Sequence, residues 1–144
     1  MELSLVKLKI TLIIMGLVII YSTNVYARDW RLYAKTDSYE CSYDAEDIIR
    51  SSQDIVDIWT KSEYTDRGVT EMVIRFGKHY AKLSYSLELW EINCAGKEDR
   101  LLSITAYSVE RNILYTDQAG SRLPPWKAIS QGSVEESLYR ALCK

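Results

Sequence analysis

The chain has 144 residues, with 18 basic against 20 acidic side chains, a formal charge of −2 and a pI near 5.5. That balance leaves no positive surplus to neutralise phosphates, which excludes a dedicated nucleic-acid binder, and 6 Gly with 2 Pro exclude a collagen-like or low-complexity chain. The single histidine, His79, excludes any site that needs two imidazoles within one subunit.

In chain order, Lys7 and Lys9 precede an apolar run from Ile10 to Tyr21, followed by Ser22-Thr23-Asn24 and Val25-Tyr26-Ala27. This is the order of a signal peptide, with small residues at −3 and −1, and it predicts cleavage after Ala27. The alternative, a retained anchor, meets a run of 12 residues where about 20 are needed to span a bilayer. Cleavage removes Glu2, Lys7 and Lys9, moves the formal charge to −3 and leaves residues 28–144 as one expected domain in an oxidising compartment.

Within that domain the hydrophobic period is mostly two. Trp30, Leu32 and Ala34 alternate with Arg31, Tyr33 and Lys35, which predicts a half-buried first strand ending at Asp37-Ser38. A second strand covers Tyr39 to Tyr43, with Asp44 suited to begin a tight turn. Ile55 to Tyr64 carries apolar groups on both sides and reads as a central third strand. Between Gly68 and Leu83 both periods fit, and a short helix or irregular crossover is expected. Leu83, Tyr85, Leu87 and Leu89 share one face of a fourth strand before the phase slips to Trp90, Ile92 and Cys94, the mark of a bulge. Hairpins then join this strand to Leu101–Glu110 and to Ile113–Thr116. Ser133-Val134-Glu135-Glu136 is a capping box that opens a terminal helix, and Val134, Leu138, Ala141 and Leu142 form its apolar stripe.

Three cysteines, Cys41, Cys94 and Cys143, allow three pairings. Cys94 ends a strand and Cys143 ends the helix, so the expected bridge joins these two and staples the last element to the sheet. Cys143 lies off the middle of the apolar stripe, so the bridge requires the last helical turn to loosen. Cys41 reads as a small buried hydrophobe, with an intermolecular disulfide or a reactive thiol as its alternative.

No residue set carries recognisable chemistry. No G-x-S-x-G elbow frames a serine, and His79 lies in the charged stretch Lys78–Lys82. Asp44, Glu46 and Asp47 lack calcium-loop spacing, and no C-x-x-C is present. No catalytic residue, cofactor or metal ligand is therefore assigned. The four tryptophans are the most unusual feature; Trp59 and Trp90 are assigned to packing. Tyr33 and Trp126 are the candidates for a binding surface, because an aromatic side chain offers large apolar area at small entropic cost.

Several segments together resemble the surface-adhesin protein E family: Trp30 at the first strand, Tyr43-Asp44 followed by Ile48, Leu89-Trp90-Glu91-Ile92-Asn93-Cys94, Trp126-x-x-Ile129, Gly132-Ser133, Glu136-Ser137-Leu138-Tyr139 and Cys143. The resemblance spans nearly all of residues 28–144, with Gln131 where a proline is expected and a variable stretch from Gly68 to Lys82. It implies a small antiparallel sheet with one C-terminal helix, an envelope or surface location, a capacity to dimerise, and binding of host matrix and plasma proteins such as laminin and vitronectin. The combined expectation is an α+β fold in which a meander of five or six antiparallel strands carries a C-terminal helix on one face. Its expected role is a non-enzymatic binding module exported to the periplasm or outer cell surface, with a matrix or envelope protein as partner and no membrane span after residue 27. The alternatives are a periplasmic accessory protein without a host ligand and a small extracytoplasmic hydrolase built on His79.

Overall fold

Alternating polar and apolar residues, broken by short polar turns, fold into an antiparallel sheet in a computed structural model that describes residues 28–143. The expected leader, Met1–Ala27, lies outside the described residues. Six strands follow one another in chain order: β1 (Trp30–Lys35), β2 (Tyr39–Arg50), β3 (Ile55–Tyr64), β4 (Leu83–Asn93), β5 (Glu98–Ser108) and β6 (Ile113–Gln118). A two-residue strand, β7 (Lys127–Ala128), also pairs with β5 and brings the sheet to seven. Helix α1 (Asp66–Phe76) and a 3-10 turn (Lys78–Lys82) fill the connection from β3 to β4, and α2 (Val134–Leu142) closes the described chain. The fold is the expected α+β meander with a C-terminal helix.

Both helices pack on the same face. One core joins Val56, Ile58 and Ile92 of the sheet to Ile129, Leu138 and Leu142, with Tyr33, Tyr43 and Trp90 beside them. A second, smaller core joins Leu83 and Ala106 to Tyr80, with Val69, Met72 and Val73 of α1 packed against it. Burying side chains of this size contributes about 1.5–3 kcal/mol each for the large aliphatic ones.

Irregularities in the ladder decide which side chains enter these cores. In β1 the register slips between Leu32, opposite Ser42, and Ala34, opposite Cys41. The extra residue is Tyr33, which turns inward onto Tyr43 with ring centroids 6.3 Å apart, while Leu32 is left 58% exposed. The simple alternation expected for this strand therefore fails at one bulged residue. In β4 the register slips around Ser84, which brings Leu83 to the helix face and away from the row of Tyr85, Leu87 and Leu89. The slip expected near Trp90 is present between Leu89 and Trp90, but the unpaired residue is Leu102 on β5, and β4 stays in register with β3.

The tight turn expected at Asp44 is absent, because β2 continues to Arg50 through a wide bulge between Tyr43 and Ile48. Asp44 does make the local bond that suggested a turn, accepting from the Glu46 N–H at 3.2 Å, while the Ala45 N–H donates to the Asp29 carbonyl at 2.8 Å. Pairing with β1 thus holds as an arch what would be a turn in isolation. Beyond the arch, Arg50 donates to the Leu142 carbonyl at 3.1 Å and ties β2 to the end of α2.

Candidate functional site

The sheet presents two chemically different faces, one roofed by the helices and one open. On the roofed face, α1 and α2 flank a cleft of about 190 Å³, lined by Met72 of the one and Val134, Glu135 and Leu138 of the other. Its floor is a row of polar side chains from β3 and β4, where a uniformly apolar core would be the cheaper arrangement. Glu88, 9% exposed, accepts from Ser86 Oγ at 2.6 Å, Trp90 Nε1 at 3.2 Å and Thr60 Oγ1 at 3.3 Å. Tyr64 Oη lies 3.4 Å from Ser86 Oγ, and Cys41 Sγ lies 3.4 Å from Ser62 Oγ. These side chains fall together because Thr60 stands opposite Glu88 and Ser62 opposite Ser86 in the β3–β4 ladder, while Cys41 stands opposite Ser62.

Tyr33 lines this cleft, together with Tyr39, Tyr64 and Trp90. Burial pushes its phenol far above the usual range and keeps it neutral. Cys41 is 2% exposed, and burial likewise pushes its thiol up, the condition of an inert structural cysteine.

Cys94 and Cys143 are joined by a disulfide with a Cα–Cα distance of 5.4 Å. Cys143 is the C-cap residue of α2 and has extended backbone angles, so leaving the helix aims its sulfur at the sheet. The Tyr139 hydroxyl donates to the Cys94 carbonyl at 3.0 Å beside the bridge. At the other end of α2, Ser133 Oγ accepts from the Glu136 N–H at 3.1 Å. The return bond of the expected capping box goes one residue further back: Glu136 Oε2 accepts from the Gly132 N–H at 2.7 Å, and Lys97 Nζ lies 2.8 Å from Glu136 Oε1. The Lys97 ammonium and the Gly132 amide hold the Glu136 carboxyl at about 2.

The open face carries the opposite set of alternating residues. Across it run Trp59 opposite Leu89, Leu87 between Lys61 and Thr105, and Tyr85 opposite Tyr107. The two tyrosine rings stack, 4.9 Å apart and inclined by 16°. Lys61 Nζ sits 5.4 Å above the Trp30 ring, and the Arg100 guanidinium lies 4.1 Å from the centre of Trp126, half-buried at the margin. Arg100 also pairs with Glu91, next to Asp57, whose Oδ1 is buried without a hydrogen-bond partner among the described residues. Aromatic rings and arginine over an aliphatic floor are the composition of protein interfaces.

The structure therefore separates the two candidate aromatics: Tyr33 sits beneath the helices and Trp126 over Arg100. Sequence reasoning missed Trp59, Leu87, Leu89, Tyr85 and Tyr107 as one surface, because each reads as core until the helices are known to share a face. His79 is exposed in the 3-10 turn, its ring 4.2 Å from that of Tyr80. Among the described residues, no group of three His, Cys, Asp or Glu side chains is placed to hold a metal ion, and no helix is long and apolar enough to cross a membrane.

A family model described as surface-adhesin protein E matches residues 30–144. No curated protein and no solved structure matches the chain.

Proposed function

Because the chain belongs to the surface-adhesin protein E family, we propose that it is a non-enzymatic binding module of the cell envelope that engages a protein partner through the open face of its sheet. The carrying observation is that face itself, where Trp59, Leu87, Leu89 and the stacked Tyr85 and Tyr107 stand uncovered by either helix. Lys61 over Trp30 and Arg100 over Trp126 add cations already seated on aromatic rings, a pairing that keeps its strength as a partner removes water. A half-buried apolar floor gives a partner area, and the flanking Lys61, Glu63, Glu91 and Arg100 give it register. The family description supports an adhesive role and a partner outside the cell, with a matrix protein as the first candidate. The leader-like residues 1–27, the family membership and the Cys94–Cys143 bridge support export.

Purified protein lacking residues 1–27 is to be presented to immobilised matrix and envelope proteins, beside the variant Leu87→Lys/Leu89→Glu. This pair of changes places opposite charges on the open face and leaves both cores intact. Saturable binding by the parent chain, weakened at least 10-fold in a variant of unchanged circular dichroism, is the expected result. Equal binding by both proteins would move the interface elsewhere. Protease treatment of intact cells reads display directly: loss of the protein places it on the outer surface, and full retention favours the periplasm.

A further inference from the structure

We propose that the cleft between α1 and α2 is a binding site for a protonated alkylamine, a site distinct from the open face. Its lining side chains include three carboxylates, Glu88, Asp99 and Glu135, and not one lysine or arginine. The aromatic walls, Tyr33, Tyr39, Tyr64 and Trp90, offer the negative faces that favour a cation. Glu88 has two oxygens able to accept about four hydrogen bonds and receives three, all from neutral groups, and no cation among the described residues pairs with it.

Asp99 points the same way independently. It is 5% exposed and lines the cleft, yet its carboxylate takes no hydrogen bond and no ion pair from the described residues. Burial and the nearby Glu135 both raise its pKa, while Lys127, which lines the neighbouring groove, draws it back only in part. Asp99 is thus largely withdrawn from bulk water with no cation of the described residues paired to it, and an ammonium group placed between Asp99 and Glu135 would offset part of that cost.

The cleft is long as well as acidic. Asp99 stands opposite Ile92, four residues beyond Glu88 along β4, which separates the two ends by about 13 Å at the usual rise of a strand. Carboxylates this far apart, with Trp90 between them along β4 and apolar Ile92 and Leu138 in the lining, suit an alkyl chain bearing ammonium groups. The same chemistry is offered by a free aliphatic diamine and by the lysine side chain of a partner protein.

Calorimetric titration with 1,5-diaminopentane, pentylamine, 1-pentanol and Nα-acetyl-lysine amide tests the site on the disulfide-bonded chain. The diamine is expected to bind one to one, pentylamine more weakly and the alcohol without measurable heat. Asp99→Asn and Glu135→Gln should each weaken diamine binding at least 10-fold, and Glu135, half-buried in the first turn of α2 and outside both cores, provides the variant whose folding is not at issue. Tighter binding of acetyl-lysine amide than of the diamine identifies a partner's lysine as the source, and the reverse order identifies a free amine; both support the site. Absence of heat with every amine, equal binding of the alcohol, or wild-type affinity in both variants overturns it. Leu87→Lys/Leu89→Glu should bind the diamine like the parent chain, which separates failure here from failure of the open-face reading.

Discussion

Cys41 shows how one residue's setting decides its chemistry. Its thiol lies at the floor of the cleft against Ser62 with 2% of the residue exposed, and burial holds it in the protonated, unreactive form. A thiol reagent should therefore label about one cysteine per chain only after denaturation, and fast labelling of the native protein would contradict the placement. Glu136 sets an acid limit. Its carboxyl is held near 2 in the fold against an ordinary value of 4.5, so it stabilises the protein fully above about 4.5 and loses that contribution as pH falls toward 2. Glu136→Gln should flatten the loss of melting temperature across that window, as a pH series of thermal melts would show. Asp99 and Asp57 have the opposite sign: burial raises both, so their charged forms oppose folding as pH rises through the raised values. Gly68 has a steric role. A Cβ there would lie 2.0 Å from the Ser38 carbonyl oxygen, so α1 could not keep its approach to the β1–β2 turn. Gly68→Ala should cost about 1–3 kcal/mol in a denaturant titration.

At the scale of elements, α2 depends on both its ends. The Ser133 cap, the Gly132 contact and the Lys97 pair fix the start, while the disulfide and the Arg50 bond fix the finish. Its 9 residues are too few for an isolated helix to persist in water, so packing and these ties carry it. Closing a loop across a separation of 49 residues stabilises by about 4 kcal/mol on the chain-entropy account. Replacing both Cys94 and Cys143 by Ala should remove about that much stability, readable as a shifted denaturation midpoint with the sheet signal retained.

The strands, the capped helix and the bridge were legible in the sequence because each rests on local period or on residues with narrow roles, as Ser133 and Cys143 do. The continuation of β2 was hidden because Asp44 makes a turn-like bond, and only pairing with β1 shows that the chain stays extended. The inward rotation of Tyr33 was hidden for the same kind of reason: a bulge is a property of two strands together. For Met72 and Val73 the helical period was readable, but the strand period fitted equally until Thr65 was seen to cap α1 through the Gly68 N–H at 3.2 Å.

For the whole molecule, sidedness organises everything else. Both helices, both cores and the acidic cleft lie on one side, and the other side carries a sheet surface richer in Trp, Tyr and Leu than contact with water alone would favour. The open edge at β6, with Ile113 61% and Tyr115 42% exposed, is the competing place for a partner to dock. Hydroxyl-radical footprinting of the chain bound to its protein partner decides between them. Protection of Trp59, Tyr85, Tyr107 and Trp126, with Tyr115 and Trp90 modified as in the free chain, is the result expected of an open-face interface. Protection confined to Tyr115, or to no open-face aromatic, would contradict it.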